Sequence, residues 1–90
     1  MSGIFKPGAL LQIDPAMLSA GSILQLFNVP GGVPRVPGEQ VTAIGWLTVG
    51  DVALLVARER TKAGEVYVLG PNGGGWAPAA FLRILLGGPR

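Results

Sequence analysis

The side chains that could perform chemistry in this 90-residue sequence are few and isolated. The sequence has no cysteine and no histidine, which excludes thiol nucleophiles, imidazole bases, disulfides and the usual zinc ligand sets. Acid–base chemistry is left to five carboxylates that stand singly, with no paired spacing: Asp14, Glu39, Asp51, Glu59 and Glu65. We therefore expect a protein that is not an enzyme and that uses no metal, cofactor or small-molecule substrate.

The glycine-rich stretch 70–75 (GPNGGG) is the other feature that could suggest ligand chemistry. A phosphate-binding loop would need a following Lys-Ser/Thr pair and a strand-to-helix context, and neither is present. The stretch is instead typical of the turn of a β-hairpin between a strand at 65–69 and one at 76–78.

Charge is scarce in this sequence. Only 13% of residues are charged and 49% are apolar, whereas soluble domains average about 25% charged residues. The surface must therefore carry more apolar area than usual, which indicates protein partners. A net charge of +2 disfavours nucleic-acid binding, which stays a minor hypothesis for the cations Arg58, Arg60, Lys62 and Arg83.

The elements that must position these residues are short strands. Fifteen glycines and eight prolines punctuate apolar runs, which predicts one all-β domain spanning residues 1–90. The predicted strands are 9–13, 23–27, 42–49, 52–57, 65–69 and 76–78, with one helical turn at 16–19. We expect strand 52–57 to be buried on both faces because it is almost continuously apolar, and we expect Phe27 and Phe81 in the core.

Two loops lie between these strands. Residues 28–40 (NVPGGVPRVPGEQ) form a loop that is long for such a domain, and long ordered loops often serve function. It is either a mobile excursion or an arm that contacts a partner. Residues 58–64 (RERTKAG) alternate in charge sign, which favours a solvated hairpin loop over a binding patch.

The order of elements after residue 50 carries a family resemblance. Gly50-Asp51 precedes an apolar strand, 65–69 stands as a central strand, and 75–82 (GWAPAAFL) has the pattern Gly-aromatic-x-Pro-x-x-aromatic-aliphatic. This order resembles the second half of a Src-homology-3 (SH3) barrel. The resemblance implies a barrel of about five strands, with a short 3-10 turn before a last strand at 83–86 that pairs with 9–13. Residues 14–49 would be an extended first loop, 1–8 an N-terminal arm and 87–90 a C-terminal tail.

The opening Lys6-x-Gly8-x-Leu10 and the Gly75-Trp76 ending are also similar to small SH3-like structural proteins of tailed bacteriophages. The resemblance implies a structural subunit: a minor capsid, cement (decoration) or connector component of a virion, held by apolar contacts to other protein subunits or to its own copies. The alternative is a regulatory module that binds a peptide or partner.

No apolar run is long enough to span a membrane, and the first residues lack the pattern of a secretion signal. We therefore expect a soluble protein, in the virion if the source is viral and otherwise cytoplasmic. Each tryptophan is either packed in the core or rim or exposed to a partner. The candidate partner-binding residues are Phe5, Val33, Pro34, Arg35, Trp46, Tyr67, Trp76 and Pro78.

Overall fold

The regular structure of this protein is a single antiparallel β-sheet. The computed structural model describes residues 7–58 and 64–86. The strands are β1 (Leu10–Ile13), β2 (Ile23–Phe27), β3 (Ala43–Thr48), β4 (Ala53–Arg58), β5 (Glu65–Gly70), β6 (Gly73–Pro78) and β7 (Leu82–Leu86). Two 3-10 turns, η1 (Pro30–Gly32) and η2 (Ala79–Phe81), are the only helices in the described part, and none there has the length and apolarity needed to traverse a bilayer. The all-β prediction is confirmed.

The strand order in the sheet is β3-β2-β6-β5-β4-β1-β7. The sheet therefore has seven strands instead of about five, and it is not closed, because β3 and β7 form its two edges. The predicted pairing of the first and last strands is confirmed, with Ile13 opposite Leu82. The short turn η2 precedes β7 as expected. The segment 14–49 supplies β2, η1 and β3.

The core is aliphatic. The largest fully buried side chains are Leu11, Ile13, Leu26, Leu47, Leu55 and Val68. No aromatic residue is buried in the described part of the chain. The prediction that Phe27 and Phe81 lie in the core is wrong, because both are only half-buried. Phe27 lies opposite Trp76 of β6, on the face of the sheet that points away from the core, and Phe81 ends η2 at the margin of the sheet.

Strand β4 is buried on one face only, which corrects the expectation for residues 52–57. Ala53 and Leu55 are buried, whereas Leu54 and Val56 are 40% and 44% exposed. Successive side chains of a strand point to opposite faces, and an antiparallel sheet commonly has one face on the core and the other outside. Because residues 53–57 of β4 are all apolar, this part of the strand presents apolar side chains on the outside as well.

Two turns depend on an aspartate. The expected helical turn at 16–19 is instead a turn at Asp14, whose Oδ1 accepts from the Ala16 N–H at 3.0 Å and whose carbonyl accepts from the Met17 N–H at 2.8 Å. The predicted turn at Gly50-Asp51 is confirmed. There, Asp51 Oδ2 accepts from both the N–H and the hydroxyl of Thr48 at 2.9 Å.

The glycines at 73–75 belong to a strand, where another hairpin passes close to the backbone, and not to the predicted turn. Gly70 pairs directly with Gly73, so the β5–β6 turn contains only Pro71 and Asn72 and the glycines belong to β6. The β2–β3 hairpin crosses the start of this strand. A Cβ at Gly45 would lie 2.9 Å from the Gly73 carbonyl carbon, and a Cβ at Gly75 would lie 2.7 Å from Leu26 Cβ and 2.9 Å from its carbonyl carbon. Glycine permits this approach because it has no side chain.

We predict that Gly75→Ala destabilises the protein by about 1–3 kcal/mol, the usual cost of forcing extra atoms into a packed site. The reason is that the added methyl meets backbone atoms of β2, which cannot rotate away. Urea denaturation monitored by circular dichroism measures the change.

Gly74→Ala is the matched control for this prediction. Its Cβ would lie closest to Leu69 Cδ2, the end of a half-exposed side chain that can turn outward, and 3.0 Å from one backbone atom, the Val68 carbonyl oxygen, whereas the Gly75 Cβ would meet two backbone atoms at 2.9 and 3.0 Å. The Gly74 variant should therefore lose less stability than the Gly75 variant, and an equal or reversed order would contradict the crossing.

Candidate partner-binding surface

The face of the sheet that points away from the core, which we call the outer face, carries an apolar surface. This surface spans four adjacent strands, β6, β5, β4 and β1. The cross-strand register places Leu10 opposite Leu54 and Leu54 opposite Leu69, so the three form a line across the sheet. We call these residues the apolar row. Leu54 is 40% exposed and Leu69 is 49% exposed, and Leu10 is half-buried.

The apolar row is flanked by two valines, one just before β4 and one within it, and ends on a glycine. Val52 and Val56 flank Leu54 and are 41% and 44% exposed. At the other end Leu69 lies opposite Gly74, and Leu69 Cδ2 occupies the space that a Cβ at Gly74 would need. The missing side chain thus keeps this end of the surface flat.

Few charged residues lie around the row in the described part of the chain. In the four strands that form this face, the charged residues are Arg58, at the end of β4, and Glu65, which is 6% exposed. On the neighbouring strand β7, Arg83 is exposed and lies opposite Gln12 of β1. Large contiguous apolar patches are uncommon on monomeric proteins and often mark contact sites.

Neither Leu54 nor Leu69 is among the residues predicted from the sequence. Leu54 lies in strand 52–57, which was expected to be buried on both faces, and Leu69 ends the next strand. The alternation of faces in an antiparallel sheet is the signal that could have found Leu54.

The structure brings together three of the predicted partner-binding residues. Tyr67 and Trp76 are cross-strand neighbours with ring centroids 5.4 Å apart and an interplanar angle of 87°, an edge-to-face geometry that favours aromatic pairing. Pro78 lies on the same face of β6, two residues beyond Trp76. Trp46 lies apart on β3, opposite Gln25 and bridged to Asn72, and is 45% exposed.

The long loop is hydrogen-bonded at its base. The Asn28 N–H donates to the Thr42 carbonyl at 3.0 Å and the Thr42 N–H donates to Asn28 Oδ1 at 2.8 Å. Asn28 Nδ2 also donates to the Gln40 carbonyl at 2.9 Å. One side chain thus joins both ends of the loop, which favours an ordered arm over a mobile excursion.

The first part of the loop covers one half of the outer face. Val29 and Pro30 are buried, and η1 lies against β2, β6 and β5. A Cβ at Gly32 would lie 3.1 Å from the ring of Phe27, so the backbone of η1 rests directly on this outward-facing ring. The half of the face that contains Phe27 and Trp76 is therefore covered by the chain itself.

The outer part of the loop, residues 33–37, is what we call the loop tip. Val33 and Val36 are 58% and 59% exposed, more than any other large hydrophobic residue in the described part of the chain, and Pro34 and Arg35 are also exposed. A hydrogen bond from the Glu39 N–H to the Val36 carbonyl at 3.2 Å closes a turn, in which Gly38 adopts a φ of 84°. Glu39 Oε1 accepts from the Arg35 N–H at 2.6 Å. The tip is thus an apolar projection held by its own turn.

The described cations of the nucleic-acid hypothesis are not grouped. Arg58 ends β4, whereas Arg83 lies opposite Gln12 of β1, with its Nη2 3.5 Å from Gln12 Oε1. Gln12 Nε2 in turn donates to the Gly50 carbonyl at 3.1 Å, which places Arg83 near the opposite end of β4. Phe5, Arg60 and Lys62 lie outside the described residues.

Comparisons with known proteins do not assign this chain to a family. No protein-family model, no curated protein and no solved structure matches this chain. In the described residues, no three or more acidic side chains group so that they could hold a metal ion. The case for function therefore depends on the outer face and the loop.

We predict that Asn28→Ala opens the loop and speeds tryptic cleavage at the Arg35–Val36 bond. The substitution removes the two hydrogen bonds of the side chain, each worth about 0.5–1.5 kcal/mol. Cleavage is followed by mass spectrometry under native conditions.

Gln25→Ala, an exposed amide on the neighbouring strand β2, is the control and should be cleaved at the wild-type rate. Asn28→Asp keeps the acceptor for the Thr42 N–H and should fall between the two. Equal cleavage rates in all these variants would show that Asn28 does not hold the loop.

Proposed function

We propose that this chain is a non-enzymatic interaction subunit that joins a larger protein assembly through its outer face. The observation that carries the proposal is the exposure, between 40% and 49%, of Leu54 and Leu69 in the apolar row and of the flanking Val52 and Val56. Covering such a surface with another protein removes apolar area from water, which is thermodynamically favourable.

The free energy of burying this surface can be compared with the cost of association. Burying a large aliphatic side chain completely contributes about 1.5–3 kcal/mol, and the exposed part of Val52, Leu54, Val56 and Leu69 is a little under half. These four side chains would together contribute about 3–5 kcal/mol. Association costs an estimated 4–15 kcal/mol in lost freedom, so a stable contact needs further surface, which the loop tip can supply.

The fold supports a more specific assignment within this proposal. The strands β6-β5-β4-β1-β7 are neighbours in that order, and η2 leads into the last of them, as the SH3-like resemblance implies. In this assignment β2, η1 and β3 form an insertion after the first strand. The chain would then be a small SH3-like structural subunit of a bacteriophage particle, in a capsid, decoration or connector position.

The alternative, a peptide-binding module, has one supporting observation. Tyr67, Trp76 and Pro78 share a face of the sheet. However, η1 lies over that half of the face, and Trp46 is on another strand. A peptide would have to bind beside or displace the loop, so we favour the assembly subunit.

We predict that the double variant Leu54→Glu, Leu69→Glu no longer associates with its assembly partners. Two carboxylates would have to be desolvated in the contact, which is strongly unfavourable without a paired charge. The measurement is coexpression with the products of the neighbouring genes, followed by size-exclusion chromatography with light scattering. The wild-type chain should elute in a complex.

Met17→Glu is the matched control, because Met17 is 44% exposed but lies in the turn between β1 and β2. It should leave the complex intact. If the double variant also retained the complex while remaining folded, the outer face would not be the contact surface.

A further inference from the structure

We infer that Asn72 is a site of spontaneous deamidation, and that the isoaspartate formed there weakens the contact between the β5–β6 turn and β3. The inference concerns a covalent change within the chain and does not depend on which partner covers the outer face. It rests on the chemistry of the Asn72-Gly73 pair, on the contrast between the two asparagines of the chain, and on the space around the turn.

Asn72 and Gly73 form the only Asn-Gly pair in the sequence. Asparagine is among the thermolabile residues, because its side-chain amide carbon, Cγ, can close a five-membered ring with the backbone nitrogen of the next residue. A glycine at that next position has no side chain to obstruct the ring closure. Gly73 is exposed and Asn72 is half-buried, so water reaches the pair.

The reaction needs water as its only co-reactant. The Gly73 nitrogen loses its proton and attacks Cγ of Asn72, a bond forms between these two atoms, and the side-chain nitrogen leaves with a proton as ammonia. Water then opens the succinimide ring at one of its two carbonyl carbons. Opening at the side-chain carbonyl gives aspartate, whereas opening at the main-chain carbonyl gives isoaspartate, in which the backbone runs through Cβ and Cγ.

The other asparagine of the chain is protected from this reaction. Asn28 precedes Val29, whose branched Cβ is stiff and crowds the backbone nitrogen. The Asn28 amide is also held at both ends, since Oδ1 accepts from the Thr42 N–H and Nδ2 donates to the Gln40 carbonyl. In the described part of the chain, no hydrogen bond holds the side chain of Asn72 in this way. Asn28 is therefore an internal reference.

The backbone around Asn72 controls how fast the ring closes. Gly70 pairs with Gly73, and Asn72 is bridged to Trp46 of β3. The turn must therefore open locally before the Gly73 nitrogen can reach Cγ. Local opening costs less free energy than global unfolding, so the reaction proceeds in the folded chain, but more slowly than in the unfolded chain.

The turn has no room for isoaspartate. A Cβ at Gly73 would lie 2.8 Å from the Ile44 carbonyl oxygen and 3.2 Å from Gly45 Cα, which shows how closely the backbone after Asn72 approaches β3. An additional backbone carbon at Asn72 must push Gly73 against β3 or break the bridge to Trp46. Aspartate keeps the backbone length and changes only the side chain. Isoaspartate should therefore destabilise the fold more than aspartate does.

The first experiment incubates the full-length chain at mildly alkaline pH, folded in buffer and unfolded in urea, and follows its tryptic peptides by mass spectrometry. Peptide 63–83, which contains Asn72, should gain the mass of an amide-to-acid exchange in both samples, more slowly in the folded one. The gain should be faster at higher pH, because the attacking nitrogen must lose its proton. The peptide that contains Asn28 should stay unchanged in the folded sample.

Asn72→Gln is the matched control, because it keeps an amide but would need a larger ring. Its peptide 63–83 should show no mass gain. If this peptide of the folded wild-type chain stayed unchanged while the same peptide in urea was converted, the fold would protect Asn72 and the inference would be overturned.

The second experiment tests the effect of isoaspartate on the fold. The aged chain is fractionated by chromatography, and the isoaspartate form is identified with an isoaspartyl methyltransferase, which does not modify ordinary aspartate. This form should unfold at a lower temperature than the wild type and than Asn72→Asp, which reproduces the other product. Equal unfolding temperatures for the isoaspartate form and Asn72→Asp would show that the turn accommodates the longer backbone and would contradict the inferred weakening.

Discussion

The close approach of the β2–β3 hairpin to the start of β6 is the constraint on which the rest of the fold depends. At Gly45, Gly73 and Gly75 the backbones of these strands come so near that a Cβ would overlap backbone atoms. With the hairpin in this position, Leu26 and Leu47 lie in the same buried cluster as Leu55 and Val68. Without it, β2 and β3 would be a hairpin with no buried face, and such a hairpin is marginally stable in water.

The same constraint determines where the aromatic residues lie. Because β2 meets β6 with Phe27 opposite Trp76, these rings and Tyr67 form a line on the outer face, and the core is filled by aliphatic side chains. The long loop leaves β2 immediately after Phe27 and folds back over that ring, and Asn28 fastens its two ends. The outer face is thus divided by local chain geometry into a covered aromatic half and an exposed aliphatic half.

The elements that the sequence predicts correctly are those determined by local chemistry. Glycine and proline turns separate the strands, Gly50-Asp51 makes a tight turn, and Pro78 with two alanines leads into η2. The pairing of β1 with β7 is what the SH3-like resemblance implies. The wrong predictions concern residues whose burial or secondary structure depends on a segment far away in the sequence. Leu54 looks buried in an apolar run, but no other strand lies over it in the described part of the chain. Likewise Phe27 faces outward because of its register with β6, and Gly73–Gly75 are strand residues because another hairpin crosses them.

If the outer face is the contact surface, as we propose, another protein covers Leu54 and Leu69 in the assembled state. Hydroxyl-radical footprinting of the free and the assembled chain tests it directly, because side-chain oxidation reports solvent access residue by residue. We expect the oxidation of Leu54 and Leu69 to fall on assembly, while that of Met17, which is comparably exposed but lies off the sheet, stays the same. Unchanged oxidation of both leucines in an assembled sample would contradict it.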